Sequence, residues 1–176
     1  MLVDSHCHLN FPDLAVNLPQ ILALMQHNEV GCAVCIGVNL EDLPEVLALA
    51  EAHAHIFASV GVHPEYADVR EPSVAELVEL SAHPKVIAIG ETGLDYHWHK
   101  DAPEWQRERF RTHIRAARQS RKPLIIHTRE AASDTLRLMQ EEGAGQVGGI
   151  MHCFTETWRW RKWRSIWAFI FRCPAS

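Results

Sequence analysis

Apolar positions along the chain fall into two kinds of run. Six short stretches are apolar almost throughout: MLVDSH, GCAVCIGV, HIFASVGV, KVIAIGE, PLIIH and GGIMH. Between them, near 18–28, 41–54, 72–82, 103–121 and 130–142, apolar residues recur at helical spacing among polar ones. The short runs predict strands covered on both faces and the longer ones amphipathic helices. Their strict alternation predicts an α/β fold, a parallel sheet under helices, with six strand-then-helix units of which the last is incomplete.

Polar residues at the ends of the apolar runs then become informative. His6 and His8 close the first run, Glu91 the fourth, His127 the fifth and His152 the sixth. In a β/α barrel the C-terminal ends of the strands converge on one mouth, so residues far apart in sequence meet there. Two histidines at i and i+2 also share one face of a strand. Imidazoles gathered with a carboxylate are ligands for divalent first-row metals. One carboxylate can bridge two ions about 3.5–4 Å apart, as in two-metal hydrolases, and Glu91 is the natural bridge. Core packing explains the set poorly, because each of these buried polar groups would need a partner. The isolated His27, His53, His55, His83 and His113, on helices or in loops, are expected to be surface or capping residues.

Composition narrows the classes. At 176 residues and 47% hydrophobic, the chain can bury a single core. Its 17 Lys+Arg against 22 Asp+Glu give −5, so no global basic field holds nucleic acid, and an acidic substrate needs a local site. No signal-peptide pattern opens the chain, and no run approaches the roughly 18 apolar residues of a membrane span. The expectation is a cytoplasmic protein with no membrane association and no obligate protein partner. The five cysteines read as free thiols. Cys32 and Cys35 form a C-x-x-C, but inside a strand-like run and not at the helix start that a redox pair uses. Cys7 and Cys153 flank ligand positions and are expected to face the opposite way, into packing. Trp98, Trp105 and Phe110 read as loop and core aromatics in preference to a platform for stacking bases.

In order and spacing, DSHCHL, GVHP, IGETGLDY, then Gln106 and Phe110, PLIIHTREA and MHCFT resemble the motifs of the TatD family of metal-dependent deoxyribonucleases, in the amidohydrolase superfamily. The resemblance covers residues 1 to about 156. It implies a TIM-type (β/α) barrel with divalent metal ions, two per site and of Mg, Mn or Zn, on His6, His8, Glu91, His127 and His152, with Glu91 also catalytic. It implies DNA as substrate, its phosphodiester bonds hydrolysed at a strand end by a metal-activated water, and substrate contacts at His63 and Arg129. Asp95 would either orient a ligand or cap the GLDY turn. The alternatives are a small-molecule amidohydrolase using the same ligands and a non-catalytic metal-binding fragment.

Two features depart from the pattern. The family implies a further aspartate after a later strand, as metal ligand and general base, and no residue here matches it. At about 29 residues per unit, eight units would need roughly 230 residues, so the expected barrel is partial, about six of eight units within 1–156. The stretch 157–176 holds four of the six tryptophans, five Lys+Arg and no acidic residue, which leaves twelve basic against 22 acidic residues, or −10, before it. Interleaved Arg and Trp could grip single-stranded nucleic acid or lie on a membrane surface. The sharper expectation is a tail out of frame. One permitted back-translation of 158–175, read from the third base of each codon, gives VAEVALDLGFHISLPGI, an amphipathic helix, a glycine stop and a strand. On that reading the intact gene encodes a nuclease and the chain as written is a truncated, inactive product.

Overall fold

Each apolar run expected to be a strand becomes one, and each amphipathic stretch becomes a helix. In chain order, the computed structural model has β1 (Leu2–Cys7), α1 (Pro12–Ala15), α2 (Leu18–His27), β2 (Val30–Cys35), α3 (Leu43–Ala52), β3 (Ile56–Val60), α4 (Val74–Ser81), β4 (Val86–Asp95), α5 (Glu104–Ser120), β5 (Leu124–Arg129), α6 (Ala132–Glu141), β6 (Gly149–His152) and β7 (Phe169–Phe171). Residues 1–152 and 169–171 are described. Local chemistry sets several boundaries. Ser73 caps α4 by accepting the Glu76 N–H at 3.1 Å, and prolines occupy the first turns of α2 and α3. Among the described residues, no helix is long and apolar enough to cross a membrane.

Every neighbouring pair of strands is parallel, and the sheet order β1 to β7 is the order of the sequence. Each crossover therefore steps one strand in the same direction, and the sheet curls. In a flat sheet β1 and β6 would lie about 24 Å apart, at ~4.8 Å per strand. Instead the rings of His6 on β1 and His152 on β6 stack with centroids 3.5 Å apart. This is a TIM-type barrel wall, open between β1 and β7 among the described residues. The seventh strand goes beyond the six units expected. It falls in the stretch 157–176, the rest of which, with Cys153, lies outside the described residues.

The strands divide their side chains between two layers. Ala33 and Cys35, Ala58 and Val60, and Leu124 and Ile126 pack under the helices with Leu77, Phe110, Ile114 and Leu138. Val34, Ile36, Val38, Ala88 and Ile125 form a separate cluster inside the wall. This alternation is interrupted where it matters for the mouth. On β1, Asp4 pairs with Ala33 and Cys7 with Cys35, so three steps on β1 match two on β2. On β4, Ile89 pairs with Leu124 and Thr92 with Ile126, the same three against two. Each extra residue is a β-bulge that reverses which parity faces inward. Without these bulges His6, His8 and Glu91 would continue the phase of Asp4 and Ile89 and point under the helices. β4 also runs four residues beyond Glu91, which the sequence reading took as its end. The two strands press closely there: Gly93 has φ 137°, and a side chain at this position would collide with the His127 carbonyl.

Free Cys32 and Cys35 agree with expectation, and their C-x-x-C lies in β2. Cys7 packs against the layer under the helices, and Phe110 is fully buried there. His113 departs from the expectation of a surface residue. It is fully buried on α5, accepting the Val62 N–H through Nε2 at 3.0 Å and facing the Arg109 carbonyl through Nδ1 at 2.8 Å. Burial, only partly opposed by the Arg109 carbonyl, lowers its pKa to about 4. The unfolded chain, with an imidazole pKa of about 6.5, binds this proton more readily, so the contribution to stability is complete above that pH and falls away as the pH drops towards 4. The ceiling of the effect is about 3 kcal/mol. Urea unfolding of the wild type and His113→Gln at pH 7 and pH 5 should show a steeper loss in the wild type; parallel losses would refute the assignment.

Candidate metal centre

Glu91 is the hub of the mouth. Its carboxylate is 2% exposed, and its two oxygens face different imidazoles. Oε2 lies 3.2 Å from His6 Nε2; Oε1 lies 3.4 Å from His127 Nδ1, 3.7 Å from His63 Nε2 and 3.9 Å from His152 Nε2. Potential ligand atoms of His6, His8 and Glu91 form one group within 4.8 Å, and those of His63, Glu91 and His127 a second. All five expected ligands therefore meet here, and so does His63.

These spacings suit a cation. Two donors bound at ~2.1 Å to one first-row ion stand about 3.0 Å apart in octahedral and about 3.4 Å apart in tetrahedral geometry. Glu91 Oε1 is moreover buried without a well-formed hydrogen bond among the described residues. A buried carboxylate oxygen left in that state is costly unless a cation completes its surroundings. Burial opposes ionisation of Glu91, but His127, His6 and His63 outweigh it and hold its pKa well below the usual carboxylate range. The Glu91 carboxylate is anionic at neutral pH.

The hydrogen bonds of His127 and His63 separate their roles. Asp95, fully buried, faces His127 Nε2 through Oδ2 at 2.8 Å, while its Oδ1 accepts the backbone N–H groups of His97 and Trp98 at 3.0 and 3.3 Å. The two readings of Asp95 are both realised: one oxygen orients the imidazole and the other caps the turn. Burial works against protonation of His127, yet Asp95 and Glu91 raise its pKa to about 9. With Nε2–H kept on Asp95, Nδ1 is the nitrogen that gives up its proton to a cation. His63 is arranged the other way. Its Nδ1 accepts the Glu65 N–H at 3.2 Å, and burial, against the pull of Glu91, lowers its pKa to about 4. Neutral His63 thus turns an Nε2–H into the site, suiting it to donate to a substrate oxygen in preference to ligating a metal.

A polar face of α5 that sequence reasoning missed holds the loop carrying His63. Arg109 Nη1 donates to the carbonyls of His63 and Tyr66, each at 2.8 Å, and its Nε donates to Glu71. Gln106 donates to the Pro64 carbonyl at 2.8 Å and accepts the Asp95 N–H at 3.0 Å. With His113 on Val62, residues at helical spacing fix the backbone from 62 to 66. Beside Glu91 a cavity of about 150 Å³ is lined by His8, Phe11, Val38, His63, Glu65 and Tyr66. Arg129 ends β5, two residues past His127, with its guanidinium 5.7 Å over the Trp98 ring.

The stretch 3–168 matches the family described as TatD related DNase. The chain belongs to that family. Among TatD relatives, an uncharacterized metal-dependent hydrolase YabD of Bacillus subtilis is 42% identical over 156 residues, 88% of this chain and 61% of its own. A 3'-5' ssDNA/RNA exonuclease TatD of Edwardsiella piscicida is 31% identical over 158 residues, 89% of this chain and 61% of its own. The crystal structure of YjjV, a TatD homologue from Escherichia coli, shares the fold with a TM-score of 0.87 at 23% identity, covering 97% of this chain and 66% of that one. This chain spans about three fifths of the length of the curated relatives it matches.

Asp95→Asn tests the link between the turn and the imidazole. The amide can still cap, but it cannot hold His127 Nε2–H as a carboxylate does. Divalent-metal affinity, read by calorimetric titration, should fall about 10- to 100-fold with unchanged far-UV circular dichroism; unchanged affinity would leave Asp95 a turn cap alone.

Proposed function

We propose that this mouth is the active site of a divalent-metal-dependent hydrolase that cleaves phosphodiester bonds of DNA. The observation that carries the reading is the split of Glu91, Oε2 to His6 and Oε1 to His127 and His152, which suits one carboxylate shared by two ions. His6, His8 and Glu91 would hold the first ion, and Glu91, His127 and His152 the second. Family membership, and the exonuclease name of the Edwardsiella relative, favour a nucleic-acid substrate over a small amide.

Bound divalent ions would supply Lewis acidity towards the phosphate and an acidified water nucleophile. The chain's own residues do the rest. Glu91 stays anionic, Asp95 fixes the His127 tautomer, and His63 presents Nε2–H towards the cavity where a phosphate oxygen would sit. Arg129 adds a permanent positive charge at the rim.

The test incubates the chain with an end-labelled single-stranded DNA, and separately with a cyclic amide, in Mg, Mn or Zn and after chelation. Metal-dependent release of nucleotides from one end, with the amide untouched, would support this reading and overturn the expectation of a truncated, inactive chain. Amide hydrolysis without DNA cleavage would replace this reading by the amidohydrolase one; metal binding without turnover of either would leave a metal-binding fragment.

A further inference from the structure

Trp98 lies in a loop, as expected from the sequence, but its exposure reopens the stacking role that the sequence reading set aside. Trp98 is 63% exposed, whereas Phe11 is 37% exposed and Phe110 is buried.

The ring is nevertheless held in a defined place. The backbone N–H groups of His97 and Trp98 hang from Asp95 Oδ1, the carboxylate whose other oxygen holds His127. The His97 ring stands edge-on to the indole, at 4.8 Å and 83°, and is itself anchored through Nδ1 to Glu130 at 2.7 Å. Arg129 lies across the indole at 5.7 Å. On the sheet Arg129 pairs with Asp95, and it shares the inward parity of His127. A planar apolar surface and a fixed cation are thus tied to the same carboxylate that orients a candidate metal ligand.

We propose that Trp98, with Arg129 across it, is a stacking platform for an unpaired nucleobase of the strand entering the mouth. The inference rests on the phosphodiesterase reading above and names the residue that receives the base next to the scissile phosphate. A flat π-surface takes a flat π-ligand, and a guanidinium beside it suits the phosphate attached to that base. A base inside a duplex is paired and stacked on both faces and is not available to the indole. A lone aromatic flanked by Arg129, His97 and Glu130 is too small and too polar a surface to dock a protein.

The probe is fluorescein-labelled oligothymidylate, titrated by anisotropy against the whole chain in chelator, so that nothing is cleaved. Trp98→Ala should bind about tenfold more weakly, Trp98→Leu as weakly as Trp98→Ala, and Trp98→Phe close to the wild type. An abasic strand of equal length should bind the wild type as weakly as oligothymidylate binds Trp98→Ala. A duplex should bind wild type and Trp98→Ala alike. The platform is overturned if Trp98→Ala matches the wild type on oligothymidylate, if the abasic strand binds the wild type as tightly as oligothymidylate, or if the wild type binds neither strand. Metal-dependent cleavage of methyl p-nitrophenyl phosphate, a diester without a base, tests the phosphodiesterase reading separately. Cleavage without Trp98-dependent binding defeats the platform alone, and Trp98-dependent binding without cleavage defeats the catalytic reading alone.

Discussion

Glu91→Gln is expected to abolish tight divalent-metal binding at both positions while leaving the barrel folded. The side chains are nearly isosteric, so the cavity and the bulge on β4 are kept. What changes is charge and donor set: a neutral amide oxygen replaces one carboxylate oxygen, and an NH₂, which cannot ligate, replaces the other, facing the imidazole nitrogens that a cation would bind. Loss of an outer-shell partner typically costs about 10- to 100-fold in metal affinity, and removing the shared ligand should exceed that at each ion. His6→Ala, by contrast, should weaken only one of two sequential binding events, because only Oε2 faces it. Metal content after dialysis and calorimetric titration separate the two variants. Retention of two ions by Glu91→Gln would show that the carboxylate does not bridge, and equal damage from His6→Ala would show a single merged site.

Much of this centre was legible because apolar runs in a parallel barrel end abruptly. A histidine at the end of PLIIH or GGIMH has one place to be, and His127 and His152 are there. The inward turn of His6, His8 and Glu91 was not legible. Period-two alternation carried on from Asp4 or Ile89 sends them under the helices, and only the three-against-two register with the neighbouring strand reverses the parity. A bulge is a property of two strands together, so neither strand's sequence displays it.

Asp95 was open for a related reason: a carboxylate has two oxygens, and a one-dimensional reading asks it to choose. The buried face of α5 was missed because EWQRERFRTHIRAARQS is so rich in charge that Gln106, Arg109 and His113 blend with exposed neighbours. Their burial is set by the loop they hold. Trp98 inverts the error. Read only as a loop or core aromatic, it is held open to water by the turn that Asp95 fixes.

The largest effect on stability is expected from Arg109→Met. The guanidinium is wholly buried, and it ties Glu71 to the carbonyls of His63 and Tyr66, the first of which also accepts the Tyr66 N–H. Methionine fills comparable space but donates nothing, so the buried His63 carbonyl is left with the Tyr66 N–H alone and the part-buried Tyr66 carbonyl loses this donor, at about 1–3 kcal/mol each. Glu71 is about half exposed, and water recovers part of its loss, which keeps the total near 3 to 4 kcal/mol and below the sum for a fully buried pair. Arg109→Lys keeps the charge but cannot span three acceptors, and should fall between. The consequence for the site is specific: with residues 62 to 66 released, His63 no longer has a fixed direction, whereas His6, His8 and His127 keep theirs. Denaturant unfolding should therefore show a sharply lowered midpoint for Arg109→Met, while residual folded protein at low temperature still binds divalent metal with wild-type affinity. A midpoint unchanged from the wild type would mean that the α5 face does not hold the loop. A matching collapse of metal affinity in the folded fraction would mean that His63 is itself a ligand and not, as its hydrogen bond from Glu65 indicates, a donor to the substrate.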